Sequence, residues 1–225
     1  MTRTLYVIRH GQTEWNVASR MQGLLDSPLT DLGRRQADAH GRTLARLGGI
    51  DVLIASPLGR TRTTAELLRA HVDVPARFDA SLLERDCGAW AGLTLEQIAA
   101  EYPHEWRARA RDPYHHRPPR GENLVDMEAR VRGLLVELLA GTEATVALVT
   151  HGVMSRVILK QLLGLEPADA VLVRHPNEVL YRLDMLSGRC AGAAHFIAGQ
   201  GPQRGLLHHH GGETILDADR TEANR

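Results

Sequence analysis

The amino-acid sequence predicts an α/β protein, because short apolar runs alternate along it with stretches of helical periodicity. Three runs rich in β-branched residues, at 4–8, 51–55 and 145–149, have the length and composition of buried strands. Each of these runs ends abruptly in polar residues. Because ligands of open α/β sheets bind beyond the carboxyl ends of the strands, the same runs also predict where a binding site lies.

The overall composition is typical of a soluble enzyme. The chain has 225 residues, of which 43% are hydrophobic and 24% are charged, and this length suits one domain with a small excursion. Lysine plus arginine and aspartate plus glutamate both number 27. No net charge therefore attracts nucleic acid or an anionic membrane, and any affinity for anions must come from local placement of cations.

The cysteine spacing and the lengths of the apolar runs indicate the cellular location of the protein. Cys87 and Cys190 have no CxxC spacing, which argues against a disulfide framework and against a structural zinc site. No apolar run is long enough to span a bilayer, and residues 1–3 lead into the first strand without the apolar region of a signal peptide. We therefore expect a cytoplasmic protein that does not bind membranes.

The first apolar run ends in Arg9 and His10, which a glycine follows. A cation, an imidazole and a glycine beyond the end of a strand form a candidate anion site, although the same residues could simply solvate the strand's end. The loop at 17–29 comes next. Its Gln22 and Gly23 either present hydrogen-bond donors to a ligand or only connect two elements.

Two helices are expected on either side of the second apolar run. Thr30 has the character of an N-cap, and Gly48 and Gly49 end the helix that it starts. After the run, a second helix opens near residue 56 and continues to about residue 71. The unpaired N–H groups of its first turn and Arg60 suit a phosphate or carboxylate, whereas the alternative is that Arg60 solvates the helix surface.

Glu84 lies in a segment, 82–92, that follows neither helical nor strand periodicity. The segment combines this carboxylate with two glycines and a tryptophan. Glu84 could act as a general acid in a partly apolar site, or it could be a solvated or ion-paired residue.

An excursion from the core follows at 104–120, after a short helix that the Thr94–Gln97 capping box starts. This segment is dense in histidine, arginine and proline. It predicts either a cationic lid, with Arg117 or Arg120 reaching a substrate anion, or a solvated loop.

The last third of the chain completes the sheet. An amphipathic helix begins near residue 124, and the third apolar run, which follows it, ends in His151 and leads straight into another helix. Two final strands at 179–184 and 190–196 are expected to extend one edge of the sheet. The composition then predicts a tail at 199–225, whose three adjacent histidines could not readily face one metal ion.

Taken in order, the motifs of this chain resemble the histidine phosphatase superfamily, also called phosphoglycerate mutase-like, in its branch with an Arg-His-Gly signature. The resemblance implies a three-layer α/β/α sandwich with a mostly parallel central sheet. It covers residues 1–198, with a lid-like excursion at 85–120, and leaves 199–225 as a C-terminal tail. The motifs are RHGQTEWN at 9–16, DSPLTDLGRRQA at 26–37, SPLGRTRTTA at 56–65, LERDCGAWAG at 83–92, GEN at 121–123 and THG at 150–152.

The resemblance also implies roles for the site residues. His10 would attack phosphorus in line and become a phosphohistidine, which water then hydrolyses. Glu84 would give a proton to the leaving alkoxide and then activate water. Positioned charge would replace a metal ion, so no metal is implied. The phosphate would be held by Arg9, Arg60 and His151, and further contacts would come from Asn16, Gln22, Gly23, Gly152 and Val153, with Arg117 added if the excursion acts as a lid.

Within the family the choice lies between a phosphatase and a cofactor-dependent phosphoglycerate mutase, which must keep water away from its phosphoenzyme. Dependent mutases carry a longer insertion after the acidic glutamate, with an Arg-Arg pair and a lysine that hold the bisphosphate cofactor. Here the segment 84–121 is shorter and has neither, and Asn123 stands where the family usually has serine. A phosphatase of a small phosphorylated metabolite is therefore favoured, and 2,3-bisphosphoglycerate would be a cofactor only of the mutase.

An alternative of another class is a non-catalytic phosphate-binding regulatory module. The full set of catalytic side chains argues against it. A homodimer is a further expectation, since dimers are frequent among members of this family.

Overall fold

A computed structural model describes residues 2–208 and 214–215, and a seven-stranded sheet forms its centre. The strands are β1 (Thr2–Arg9), β2 (Val52–Ala55), β3 (Ala76–Phe78), β4 (Thr145–Thr150), β5 (Val179–Leu186), β6 (Arg189–Ile197) and β7 (Gln200–Arg204), with a separate pair, β8 (Leu206–Leu207) and β9 (Thr214–Ile215). The helices are α1 (Glu14–Val17), α2 (Asp31–Arg46), α3 (Gly59–Arg69), α4 (Leu95–Glu101), α5 (Pro103–Arg111), α6 (Leu124–Ala140), α7 (Gly152–Leu163) and α8 (Pro167–Ala170).

The sheet is mixed, and its two halves differ in direction. The strand order is β3-β2-β4-β1-β5-β6-β7. The first four strands in this order are mutually parallel, as their crossover helices require. From β1 onward the pairs are antiparallel, and β5 and β6 extend this edge as predicted.

Both faces of the sheet are buried, because successive side chains of a strand point to opposite faces. Leu5 and Val7 of β1 belong to one core, which includes residues of α6 and α7. Tyr6 and Ile8 belong to a second core with residues of α2 and α3. Helices therefore cover both faces, and the predicted three-layer α/β/α architecture is confirmed.

The helix starts follow the capping signals of the sequence. The Thr30 side chain accepts a hydrogen bond from the Gly33 backbone N–H at 3.0 Å and starts α2. Thr94 starts α4 with a complete capping box. Asn123, which replaces the family's usual serine, caps α6 in the same way and therefore serves the helix rather than a ligand.

The excursion contains more regular structure than its composition indicated. Residues 103–111 form helix α5, although the sequence predicted a lid or a solvated loop from residue 104. No side chain of α5 is fully buried, so the helix lacks the apolar stripe by which helices are recognised. A small core of its own, formed by Cys87, Trp90 and Ile98 with Trp106 packed against it, holds the excursion together.

The sheet also extends beyond the predicted domain boundary at residue 198. Residues 200–204, assigned from composition to the tail, form β7 and pair with β6. All five residues of β7 are exposed, so the strand shows neither apolar alternation nor a buried run. Of the predicted histidine triplet, residues 209 and 210 lie outside the described residues.

The topology brings three strand ends to one edge of the sheet. β2, β4 and β1 are neighbours and run parallel, so their carboxyl ends lie side by side. Among residues 2–208 and 214–215, no helix has the length and apolar character that crossing a membrane requires.

Candidate active site

A cavity of about 200 Å³ opens at the carboxyl ends of β1, β2 and β4. Nine of the predicted site residues line it, and two, His151 and Arg117, do not. The predicted residues in the lining are Arg9, His10, Asn16, Gln22, Gly23, Arg60, Glu84, Gly152 and Val153. Five further residues line the cavity but were not predicted from the sequence: Arg20, Met21, Arg85, Cys87 and Arg156.

His10 is held in one orientation and one tautomer. Its Nδ1 lies 2.8 Å from the carbonyl oxygen of Gly11. Since a carbonyl oxygen only accepts hydrogen bonds, Nδ1 carries the proton and Nε2 keeps its lone pair. Burial, followed by the charges of Arg9 and Arg60, lowers the pKa of His10 well below its ordinary value, so the ring is neutral. A neutral imidazole with an available Nε2 is a nucleophile.

Arg9 is half-buried at the end of β1, and only some of its N–H groups have acceptors in the protein. One terminal nitrogen, Nη1, donates to the carbonyl oxygen of His175 at 2.9 Å, while Nε is buried without a hydrogen-bond partner. Burial lowers the pKa of Arg9 to about 10, and the guanidinium stays charged at neutral pH. Its unsatisfied donors are suited to an anion in the cavity.

Arg60 is fixed by its surroundings more completely than Arg9. It donates from Nη1 to the Leu25 carbonyl at 2.7 Å and to Asp26 at 3.1 Å, and from Nη2 to the Gly23 carbonyl at 2.8 Å. Nε donates to Nδ1 of His151 at 3.2 Å. A guanidinium has five N–H groups, so these four bonds hold the side chain rigidly and leave one N–H for a ligand.

His151 lies behind the cavity rather than in its lining. The ring is fully buried. Its Nδ1 accepts from Arg60, and its Nε2 lies 2.8 Å from the hydroxyl oxygen of Ser56. Burial and the charge of Arg60 lower the pKa of His151 well below its ordinary value. The sequence interpretation expected a charged phosphate ligand, whereas the structure holds a neutral ring that orients Arg60.

Glu84 is held at the N-terminus of α7. Its carboxylate oxygens accept from the backbone N–H groups of Val153 at 3.1 Å and Met154 at 3.2 Å, and from its neighbour Arg85 at 2.8 Å. The Val153 amide, expected to bind the phosphate, is therefore already occupied. Arg130 fixes the preceding loop by donating to the carbonyls of residues 81 and 83, which places Glu84 on a rigid segment.

Asn16 and Gln22 lie on the opposite wall, and both are tied to Thr13. The Asn16 carbonyl oxygen Oδ1 accepts from the Thr13 backbone, which leaves Nδ2 as the donor for a ligand. Gln22 donates from Nε2 to the Thr13 hydroxyl at 2.8 Å, and its Oε1 is buried without a partner. Rotating this amide by 180° would let the Thr13 hydroxyl donate to Oε1 and would place Nε2 at the unsatisfied position.

Gly11 is required for packing rather than for contact with a ligand. A Cβ atom at this position would lie 2.2 Å from the carbonyl oxygen of Gly33 in α2. Gly33 is equally restricted, because its own Cβ would lie 2.0 Å from the Gln12 oxygen. The close approach at Gly11 is therefore made by the backbone of α2.

Arg117 is not part of the site. Its guanidinium is exposed and pairs with Asp126 in the first turn of α6. Arg156, which the sequence interpretation missed, lies four residues after Gly152 on α7. Residues four apart share one face of a helix, so this spacing was a signal that could have identified Arg156.

A second cavity of the described chain lies away from the predicted site residues. A larger cavity of about 530 Å³ lies near the end of α7 and β6, and none of the predicted site residues lines it. In the part of the chain that the structure describes, no group of three or more histidine, cysteine, aspartate or glutamate side chains is arranged to hold a metal ion.

The fold and the site define a histidine phosphatase. The model of the histidine phosphatase superfamily (branch 1) matches residues 5–196, and this protein belongs to that family.

Individual relatives agree with the family. The chain is 38% identical over 175 residues to the glucosyl-3-phosphoglycerate phosphatase of Mycolicibacterium vanbaalenii, covering 74% of this chain and 76% of that protein. It is 35% identical over 183 residues to a probable phosphoglycerate mutase of Citrobacter koseri, covering 80% and 84%. A solved structure of mycobacterial glucosyl-3-phosphoglycerate phosphatase with VO3 matches with a TM-score of 0.73 and 37% identity, covering 80% of this chain and 90% of the other.

Proposed function

We propose that this protein hydrolyses a small phosphomonoester through a phosphohistidine on His10, without a metal ion. The observation that carries the proposal is the state of His10. Its Nδ1–H is held by the Gly11 carbonyl, and its neutral ring keeps Nε2 available in a cavity that Arg9 and Arg60 line. Family membership supports the same chemistry.

In the first step, Nε2 of His10 attacks phosphorus and the P–O bond to the leaving group breaks. The bond from Nδ1–H to the Gly11 carbonyl stabilises the positive charge that develops on the ring. Arg9 and Arg60 bind the equatorial phosphate oxygens, where the transition state spreads its negative charge. His151 and Ser56 act indirectly, because they fix the guanidinium of Arg60.

Glu84 handles the proton in both steps. It lies in the same cavity as His10, and protonated it delivers a proton to the leaving alkoxide. As a carboxylate it then takes a proton from water, which attacks the phosphohistidine and restores neutral His10. Cationic side chains supply the charge stabilisation that a metal ion provides in other phosphatases, so we expect full activity in a chelator.

A phosphoglycerate mutase is the second candidate, since one relative carries that name. A mutase must exclude water from its phosphoenzyme. The excursion offers little for this, because α5 has no fully buried side chain and Arg117 is engaged with Asp126. We therefore favour the phosphatase. A cytoplasmic location and a homodimer remain expectations from the sequence.

The test is phosphate release from a panel of small phosphomonoesters in EDTA, with 3-phosphoglycerate isomerisation measured alongside, with and without 2,3-bisphosphoglycerate. Phosphate release should be lost by more than about a thousandfold in His10→Ala, because the nucleophile is removed. Isomerisation that needs the bisphosphate and releases little phosphate would establish the mutase instead. Tight phosphate binding without turnover or labelling of His10 would indicate a regulatory module.

A further inference from the structure

Two further arginines, Arg85 and Arg156, line the cavity. Arg85 is 4% exposed, and Arg156 lies one turn into α7. The Nε–H of each is buried without a hydrogen-bond acceptor. Neither belongs to any ion pair formed within residues 2–208. A buried guanidinium without an ion-pair partner is costly, so the buried Arg85 and the half-buried Arg156 require an explanation.

The carboxylates of this wall are already engaged elsewhere. Glu84 accepts from the backbone of Val153 and Met154, and Glu122 pairs with Arg130 at 2.8 Å. Asp86 accepts from the backbone of Gly88. None of these three carboxylates forms an ion pair with Arg85 or Arg156 in the described part of the chain, although the charge of Glu84 acts on Arg156.

The two arginines are close enough to influence each other. Burial lowers the pKa of Arg156, the Glu84 carboxylate opposes this effect, and the charge of Arg85 lowers the pKa further. Arg109 of α5 is affected in the same way by burial and then by Arg85 and Arg156. Positive charge is thus concentrated on one wall of the cavity, next to the residues proposed to bind the phosphate.

We propose that Arg85 and Arg156 form a second anion subsite, which binds a carboxylate or another anionic group of the substrate close to its phosphate ester. This inference rests on the proposed phosphatase function and names its substrate class. Arg9 and Arg60 serve the phosphate, and Arg20 donates to the Gly92 carbonyl at 2.7 Å. Arg85 and Arg156 therefore remain for a second group. The planar fork of a guanidinium matches the two oxygens of a carboxylate.

The size of the cavity restricts the substrate further. Its volume of about 200 Å³ is below the roughly 300–1,000 Å³ of pockets that enclose drug-sized ligands. A phosphate and a second anionic group a few bonds away fill such a space. The substrate is therefore a phosphorylated small acid, or a larger molecule that ends in one.

The experiment compares two substrates that differ only in the second charge. 3-Phosphoglycerate carries a carboxylate where glycerol 3-phosphate carries a hydroxymethyl group. We expect the wild-type protein to prefer 3-phosphoglycerate by about tenfold to a hundredfold in kcat/KM, the range of one or two charge-assisted hydrogen bonds. Arg85→Met and Arg156→Met should each reduce this ratio by about tenfold or more.

A matched control comes from the same part of the molecule. Arg107 of α5 is an exposed arginine that does not line the cavity, and Arg107→Met should keep the wild-type ratio. Thermal unfolding of each variant separates loss of the subsite from loss of the fold. Replacing an unpaired buried cation by methionine should not lower Tm.

A second pair of substrates identifies the anion. Propane-1,3-diol bisphosphate and its monophosphate differ by one phosphate group. A preference confined to this pair, reduced by the two methionine variants, would assign the subsite to a second phosphate. Equal efficiency within both pairs, or ratios that the variants leave unchanged, would overturn the subsite while leaving the phosphatase in place.

Failure of the phosphatase itself is recognised separately. In that case the wild-type protein hydrolyses none of the four compounds. Calorimetry then compares the binding of 3-phosphoglycerate with that of glycerol 3-phosphate, which needs no turnover. Tighter binding of 3-phosphoglycerate than of glycerol 3-phosphate, lost in Arg85→Met and Arg156→Met but kept in Arg107→Met, supports the subsite. Equal binding of the two compounds overturns it.

Discussion

The two halves of the sheet contribute to the site in different ways. In the parallel half, β1 ends in Arg9, β2 leads through a loop to Arg60, and His151 follows β4. Each of these central strands therefore places a site residue at the same edge. No residue of the antiparallel strands β5, β6 and β7 lines the cavity. Parallel neighbours end at the same edge, whereas antiparallel neighbours end at opposite edges, and this difference decides which half carries the chemistry.

The antiparallel half nevertheless supports the site through the segment that leads into β5. The His175 carbonyl accepts from Arg9, and the Asn177 side chain donates to the His10 carbonyl at 2.7 Å. His40 of α2 bonds in turn to the Asn177 carbonyl at 3.0 Å. The parallel half of the sheet thus provides the reacting groups, and the antiparallel half holds their backbone in place.

Among the variants that compare the two halves of the sheet, the largest effect is expected at the parallel edge, for Arg60→Lys. A lysine has three donors on one atom and cannot reproduce four bonds that diverge from a planar fork. We expect kcat/KM to fall by at least about a hundredfold. Arg62→Lys is the matched control, because Arg62 lies on the same helix, is exposed, and covers the ring of Phe78. Similar losses in both variants would contradict this role of Arg60.

A smaller effect is expected at the supporting segment, for Asn177→Ala. Loss of its bond to the His10 carbonyl should lower kcat by about tenfold with little change in KM, because the nucleophile is displaced while the phosphate ligands remain. Asn123→Ala removes a comparable amide that caps α6, far from His10. This control should lower Tm and keep kcat. A change in KM alone for Asn177→Ala would place Asn177 among the binding residues instead.

The supporting segment should also make stability depend on pH. Burial lowers the pKa of His175 to about 3, from 6.5 in the unfolded chain. Below pH 6.5 the unfolded state binds a proton that the folded state does not, so the stability that His175 contributes is lost as pH falls toward 3.

Denaturant unfolding between pH 7 and pH 5 measures this contribution. His175→Gln should reduce the pH dependence of the unfolding free energy by up to about 1.4 kcal/mol per pH unit, while other buried histidines maintain the rest. An unchanged dependence in the variant would mean that His175 takes up a proton in the folded protein as readily as in the unfolded chain.

The smallest effect is expected at the far antiparallel edge, for Gln203→Thr. Gln203 is exposed on β7 and faces no residue of the cavity. Its replacement should change stability by less than about 0.5 kcal/mol and leave kcat/KM unaltered. A measurable loss of activity would show that the antiparallel half does more than support the segment before β5.

Much of the fold was predictable because its signals are local. Strand runs, the Thr30 cap and the Thr94–Gln97 capping box depend on residues a few positions apart, and these were predicted correctly from the sequence. The helix at 103–111 and strand β7 were not, because neither has a buried face that leaves an apolar pattern. Their existence depends on neighbours that are distant in the sequence.

The sequence by itself determined where the site lies, since polar groups placed after parallel strands must converge at one edge. The tertiary structure alone decided how those groups are used. It turned His151 toward Arg60, engaged the Val153 amide with Glu84, and left the Nε–H groups of Arg85 and Arg156 without acceptors. Hydrogen-bond pairing depends on distances of a few ångströms between segments far apart in the chain, and spacing along the sequence carries no information about them.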